Sequence, residues 1–143
     1  MTAFLDRLSP LALSLLRAVS GLVFLSHGTQ KLIGYPPTER VTEMFSLGWW
    51  AGAIELVTGA LLVIGYQTRP AAFLASGTMA FAYWLAHAPQ NPFPSTNGGV
   101  PAVLYCFVFF YLVFAGGGPV GVDHLRRNGK RKAAAQAAEA PAA

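Results

Sequence analysis

The sequence predicts an all-α fold: an integral membrane, antiparallel four-helix bundle with both termini in the cytoplasm. Of its 143 residues, 54% are hydrophobic and only 11% are charged, whereas a soluble domain carries roughly 25% charged residues. From Pro70 to Val122 there is no Asp, Glu, Lys or Arg. A chain this short exposes most of its residues at least in part, so a soluble enzyme would need more polar residues than these. We therefore expect lipid to be the solvent.

The first two predicted spans cover residues 11–33 and 49–66. The first follows Pro10 and is closed by Tyr35-Pro36-Pro37, because the residue before a proline disfavours helix. The second is interrupted only by Glu55. Each run has about the 20 residues that a helix needs to cross a bilayer.

A cleaved signal peptide is the competing interpretation of the first run. Against it, Arg17 interrupts the apolar stretch, and no small-x-small cleavage site precedes the polar patch from His27 to Lys31. A signal peptide combines an uninterrupted apolar region with such a site. We therefore interpret the run as a span.

The charge-free stretch is long enough for two more spans, predicted at residues 70–87 and 101–115. Between them, residues 88–100 are rich in proline, asparagine and glycine. Such a cluster marks a loop, and its backbone cannot stay unpaired in hydrocarbon. Each span opens with a proline, which the first turn of a helix tolerates.

The distribution of basic residues predicts the orientation and the domain organisation. Arg7, Arg69 and the five basic residues after Gly121 fall on one side of the four spans. The positive-inside rule places that side, with both termini, in the cytoplasm. We predict a membrane bundle over residues 1–122 and a basic, disordered cytoplasmic tail over residues 123–143. A basic tail beside a hydrophobic body is a topology signal, so we predict no nucleic-acid partner.

Three polar residues near the outer end of the bundle predict a functional pocket. A charge in hydrocarbon costs roughly 2.5–3.5 kcal/mol and so needs a reason. Glu55 and His27 each lie about six residues from the outer end of their span, and Lys31 lies one turn further out. We predict Glu55 and His27 as catalytic residues, with Glu55 as the proton acceptor and Lys31 as a substrate-binding residue. The alternatives are a structural ion pair for Glu55 and snorkelling of Lys31 to the headgroups.

Small residues accompany these charges on both helices. Gly52, Glu55 and Gly59 share one face of the second span, and Gly21 and Gly28 share a similar face of the first. Small residues let helices approach closely in lipid. We therefore expect these two faces to lie inside the bundle.

Three further residues are predicted to bind substrate. Tyr83 and His87 are four residues apart on the third span, so they share a face, and His87 reaches the outer level. Arg17 is the third. The alternative role of Arg17 is to snorkel to lipid phosphate, and the alternative role of His87 is that of a residue at the membrane interface. Two histidines at one depth in the membrane suggest haem ligation as a further interpretation, but a pattern of only two residues argues against it. The single cysteine excludes an internal disulfide or a cysteine-based metal cage, and we predict no metal site.

Several segments resemble the DoxX family of small bacterial membrane proteins. They include residues 17–24 and 27–32 in the first span, Glu55 to Gly59 in the second, and residues 65–72 after it. The Asn97-Gly98-Gly99 turn and the closing segment from Gly118 to Asp123 are also similar. Family members usually carry a glutamate just after the Gly-Gly turn, where this chain has Val100-Pro101.

The resemblance implies a four-helix protein of the bacterial cytoplasmic membrane. It also implies a subunit of a quinone-linked or sulfur-compound oxidoreductase system, with quinone as the ligand class. The expected partners are the lipid bilayer, an oxidoreductase subunit and a second copy of the chain. Two alternatives stay open from the residues: a non-catalytic membrane anchor or assembly partner, and a small lipid or ion carrier.

Overall fold

The computed structural model describes residues 2–37 and 42–139, and every regular element within them is helical. In chain order the helices are α1 (Thr2–Ile33), α2 (Leu47–Ile64), α3 (Thr68–Ala82), a π-helical turn (Tyr83–His87), α4 (Pro94–Asn97), α5 (Val100–Ala115) and α6 (Val122–Glu139). The part of α1 from Ala3 to Ile33 and the whole of α2 are long and apolar enough to cross a membrane, and α5 is apolar but shorter.

Helix α1 begins at Thr2, so the prediction that Pro10 opens this helix is wrong. Pro10 lies inside the helix, where it lacks the N–H that would donate to the carbonyl four residues earlier. The flanking leucines and Arg7 are good helix formers and offset part of this cost. The nine residues from Thr2 to Pro10 therefore extend the helix beyond the predicted span by about 14 Å.

Local signals set the ends of α2. The Ser46 side chain accepts a hydrogen bond from the N–H of Trp49, at 3.2 Å, and so caps the first turn. Gly65 ends the helix with a φ of 68°, a left-handed conformation that glycine adopts without strain. Two residues then lead into α3, which starts before Pro70 at Thr68.

The predicted disordered tail is instead helix α6 as far as Glu139, so that prediction is wrong; residues 140–143 lie outside the described part. Alanine, lysine, arginine and glutamine dominate the segment and have high helix propensity. Asp123 lies in the first turn, where a carboxylate interacts favourably with the helix dipole. Its N–H also donates to the carbonyl of Gly65, at 2.8 Å, which joins the start of α6 to the end of α2.

The core lies where α3 packs against both α2 and α5, while α1 packs mainly against α2. Phe24, Leu62, Phe109 and Leu112 are buried at its centre. Phe24 and Phe109 meet edge to face with ring centroids 4.8 Å apart. The two ends of the helices are named as follows. The loop end carries the loops after α1 and after the π turn. The basic end carries residues 65–67 and 116–121.

The predicted small-residue faces lie between α1 and α2, which confirms their inward orientation. Gly52, Glu55 and Gly59 are buried on α2. A Cβ placed on Gly28 would lie 2.5 Å from the backbone nitrogen of Leu56, and one on Gly59 would lie 2.7 Å from that of Leu25. The two backbones are therefore in contact across glycine, an approach that any larger residue would prevent.

Candidate functional site

The site is centred on Glu55, a buried carboxylate midway along α2. The residue is 1% exposed, and Oε1 lies 2.5 Å from Nζ of Lys31 on α1. Oε2 is also buried and has no hydrogen-bond partner among the described residues. The carboxylate thus has one oxygen engaged by a cation and a second whose acceptor capacity is unused. A buried acceptor without a donor costs about 1–3 kcal/mol.

The close approach of the helices positions Lys31. A Cβ on Gly52 would lie 2.8 Å from Cβ of Lys31, so glycine is needed for the lysine stem to pass. The carbonyl of Lys31 accepts a hydrogen bond from Oγ1 of Thr42, at 2.6 Å, which holds the loop after α1 against the helix end. The Lys31 side chain remains 31% exposed. Its ammonium can therefore contact both Glu55 and a molecule arriving from outside.

His27 lies on the same helix as Lys31, one turn before it. Its imidazole is exposed and interacts electrostatically with Glu55. The ring also meets Tyr105 of α5 edge to face, with centroids 6.4 Å apart. The structure therefore brings together three of the predicted residues, His27, Lys31 and Glu55, and adds Tyr105.

An apolar groove of about 250 Å³ runs along α5 from this tyrosine. Its walls are Val100, Pro101, Leu104, Tyr105 and Val108. Tyr105 thus contacts the imidazole of His27 and also lines the groove. Sequence reasoning did not identify Tyr105; the available signal was the presence of two phenols, Tyr105 and Tyr111, in an otherwise apolar span.

Tyr83 and His87 do not join the Glu55 site. The Tyr83 hydroxyl donates to the carbonyl of Pro92, at 2.8 Å. Nδ1 of His87 lies 3.0 Å from the carbonyl oxygen of Asn97, and it must be the donor because a carbonyl only accepts. Both side chains thus anchor the loop of residues 88–99. That Tyr83 and His87 bind substrate stays a prediction; both hydrogen bonds are made to main-chain carbonyls of this loop.

Arg17 lies at the basic end and is 2% exposed. Its guanidinium donates to four main-chain carbonyls, at distances of 2.5–3.2 Å. Two of them, Leu62 and Val63, are in the last turn of α2, where the helix dipole favours a cation. The other two belong to Gly117 and Val120. Arg17 therefore cross-links α1, α2 and the segment before α6, and it does not snorkel.

Asp123 is a second residue that sequence reasoning missed at the basic end. Its Oδ1 accepts from the N–H of Gln67, at 2.9 Å, and its Oδ2 from that of Thr68, at 2.8 Å. The carboxylate thereby caps α3 from a distant part of the chain. Partial burial acts to raise the pKa of Asp123, but these backbone hydrogen bonds outweigh it, so the pKa lies below its ordinary value. The signal was a single acid directly after the charge-free stretch.

No group of three or more His, Cys, Asp or Glu side chains within residues 2–37 and 42–139 is arranged to hold a metal ion. The described donor set at Glu55 is one carboxylate, one ammonium and one imidazole. An ammonium bound to the carboxylate competes with a cation for the same oxygen. This set suits hydrogen bonding to a polar organic group better than metal coordination.

Within the described residues every regular element is helical, two helices are long and apolar enough to cross a membrane, and an ion pair joins them; these features are typical of a membrane protein. The chain belongs to the DoxX family, whose sequence profile matches residues 12–88. It is also 38% identical over 128 residues to an uncharacterized protein of Haemophilus influenzae, covering 84% of this chain and 94% of that protein. No solved structure matches the chain.

Proposed function

We propose that the chain is a multi-pass protein of the bacterial inner membrane. In this arrangement α1, α2, α3 with its π turn, and α5 form the four spans of an antiparallel bundle, and residues 1–122 make up the membrane domain. Helix α5 has 16 residues and covers about 24 Å, so its ends would lie close to the headgroups. Arg7, Arg69 and α6 lie toward the basic end, which the positive-inside rule assigns to the cytoplasm.

The proposed function is to bind a quinol-type head group at Glu55, as a subunit of a membrane oxidoreductase system. The family is associated with membrane oxidoreductase-related roles. The observation that carries the proposal is Oε2 of Glu55, a buried carboxylate oxygen with no partner among the described residues. A quinol hydroxyl would donate to this oxygen and so supply the missing hydrogen bond.

The remaining residues of the site have complementary roles in this proposal. Lys31 would donate from its exposed side to the second oxygen of the head group. When the quinol is oxidised, Glu55 would accept the first proton, and His27, exposed beside Tyr105, would accept the second. The two electrons would pass to an oxidoreductase partner, and the product quinone would leave through the lipid. The groove along α5 would accept the apolar tail, because its walls are mainly apolar side chains.

A titration with a short-tailed benzoquinol analogue tests this function. The full chain, purified in a neutral detergent, is compared with Glu55→Gln and with Glu43→Gln, which removes the same charge at an exposed position. We expect Glu55→Gln to weaken binding about tenfold, since a hydrogen bond to a charged group contributes roughly 1.5–3 kcal/mol. Glu43→Gln should bind like the wild type. Equal binding by the wild type and Glu55→Gln would contradict the proposal.

The second candidate is a non-catalytic membrane anchor or assembly partner. It is favoured by the Lys31–Glu55 ion pair between closely packed helices, which would lock the bundle, and by the exposed basic face of α6, which would recruit a soluble subunit. In this case Glu55→Gln lowers thermal stability, and deletion of α6 abolishes partner capture. A Glu55→Gln protein that stays fully stable but loses its cellular function contradicts the anchor.

A further inference from the structure

A cleft of about 290 Å³ opens at the basic end, between the start of α3 and the end of α5. Its walls include Thr68, Arg69, Gly116, Gly117, Asp123 and Arg127. It lies beside the last turn of α2, where the carbonyls of Leu62 and Val63 hold Arg17, about two helical turns from Glu55. The inference drawn from this cleft is independent of the function proposed at Glu55.

The cleft contains hydrogen-bond donors that the described protein does not use. Arg69 and Arg127 are exposed, and neither guanidinium is joined to an acceptor by a hydrogen bond or ion pair among the described residues. Thr68 is 1% exposed. Its buried Oγ1 has no hydrogen-bond partner among the described residues. Two guanidinium groups and a buried hydroxyl suit a ligand that has several acceptor oxygens.

The acidic residue in the wall does not remove this preference. Both oxygens of Asp123 already accept backbone N–H groups, from Gln67 and Thr68. Arg17 lies behind the same wall and adds a third positive charge, which interacts with Asp123. The balance of three guanidinium groups against one engaged carboxylate is positive, and it favours an anion over a cation or a neutral ligand.

Glycines provide the space beside these donors. A Cβ on Gly117 would lie 2.8 Å from Oγ1 of Thr68, and one on Gly116 would lie 3.7 Å from Nε of Arg69. Any side chain at Gly117 would therefore clash with the hydroxyl. Gly116 also has a φ of 78°, so a substitution there would be strained as well as obstructive.

We propose that this cleft binds the phosphate group of an anionic molecule. A phosphate matches the donors because it offers several oxygens to Arg69, Arg127 and the hydroxyl of Thr68. Two sources share this chemistry: the phosphodiester of an anionic lipid headgroup and free phosphate. The cleft lies at the ends of the apolar helices α3 and α5, where the headgroups of one leaflet would lie.

The test uses the full chain purified in a neutral detergent. One arm adds short-chain phosphatidylglycerol or phosphatidylcholine and counts bound lipid by native mass spectrometry. The other arm titrates inorganic phosphate and follows the thermal midpoint. Both are repeated with Arg69→Gln, Arg127→Gln and Thr68→Val. The matched control is Lys132→Gln, which removes one exposed charge from α6 outside the cleft.

We expect phosphatidylglycerol to bind in preference to phosphatidylcholine. Each arginine variant should weaken binding about tenfold, Thr68→Val should weaken it several-fold, and Lys132→Gln should leave it within about twofold. Binding of the lipid alone supports the headgroup as the source, and binding of both ligands with the same dependence on the variants supports a general phosphate site. Binding of neither, or equal losses in Arg127→Gln and Lys132→Gln, would overturn the proposal, because the attraction would then be absent or diffuse.

Discussion

Lys31 and Glu55 form an ion pair in which the two partners are buried very unequally. Their charged atoms are 2.5 Å apart, yet the Glu55 side chain is 1% exposed and that of Lys31 is 31% exposed. The ammonium of Lys31 can bind water or a headgroup in place of Glu55, whereas the buried carboxylate can reach neither. Loss of one partner should therefore have a different cost from loss of the other.

We expect Lys31→Met to destabilise the protein more than Glu55→Gln does. Removing the lysine leaves a buried charge without its counterion, which typically costs about 3–5 kcal/mol. Removing the carboxylate charge leaves an ammonium that can reach solvent, at a cost of about 1 kcal/mol. The thermal midpoints of the two variants in detergent give the comparison, and the double variant should regain part of the loss caused by Lys31→Met. A larger loss in Glu55→Gln would show that the asymmetry of burial does not govern the pair.

Glycine substitutions should separate the α1–α2 contact from helix propensity. Gly28→Ala places a Cβ 2.5 Å from a backbone nitrogen of α2, so we expect the helices to move apart and the thermal midpoint to fall, with a loss of at least about 2 kcal/mol. Gly77→Ala is the control, because its Cβ meets nothing within 4 Å. There the higher propensity of alanine should be neutral or should stabilise the protein by about 0.5–1 kcal/mol. Equal effects at both positions would argue against close helix contact.

Arg17→Lys should destabilise the basic end although it keeps the charge. Four main-chain carbonyls accept from the guanidinium, and a single ammonium with three donors cannot reach all of them. We expect a loss of at least about 2 kcal/mol, together with faster proteolysis within residues 116–121. Arg7→Lys, at an exposed position, should change neither measurement. An unaffected Arg17→Lys protein would mean that charge alone maintains this junction.

The cap that Asp123 places on α3 should be sensitive to acid. Its pKa is depressed in the folded protein, so its contribution to stability is complete well above its ordinary value of 3.8 and is lost as the pH falls through the lower folded value. We expect the wild type to have a higher thermal midpoint than Asp123→Asn at pH 7. The two midpoints should converge as the pH falls below about 4. A gap that persists at the lowest pH would contradict the role of the carboxylate charge.

Much of the fold follows from local sequence. Runs of apolar residues predict α2 and α5 to within two residues at each end, because hydrophobic length and the flanking glycine or proline act over short distances. The glycine faces also predict which sides of α1 and α2 meet, since helical periodicity places them without knowledge of the partner. The depth argument placed Glu55 level with His27 and Lys31 one turn further out, whereas the structure joins Glu55 to Lys31. Helix α6 was missed, because a low-hydropathy segment satisfies both a disordered and a helical interpretation.

The sequence by itself determined the class of protein, the helical runs and the faces on which the first two helices meet, because these depend on composition and on spacing along one or two neighbouring segments. The tertiary structure decided which polar atoms satisfy one another. Arg17 meets the carbonyl of Gly117, 100 residues away, and Asp123 caps a helix that begins 55 residues earlier. Tyr83 and His87 turn to a loop and not to Glu55. A buried donor takes whichever acceptor the folded chain brings within about 3 Å, and that proximity is a property of the packed helices.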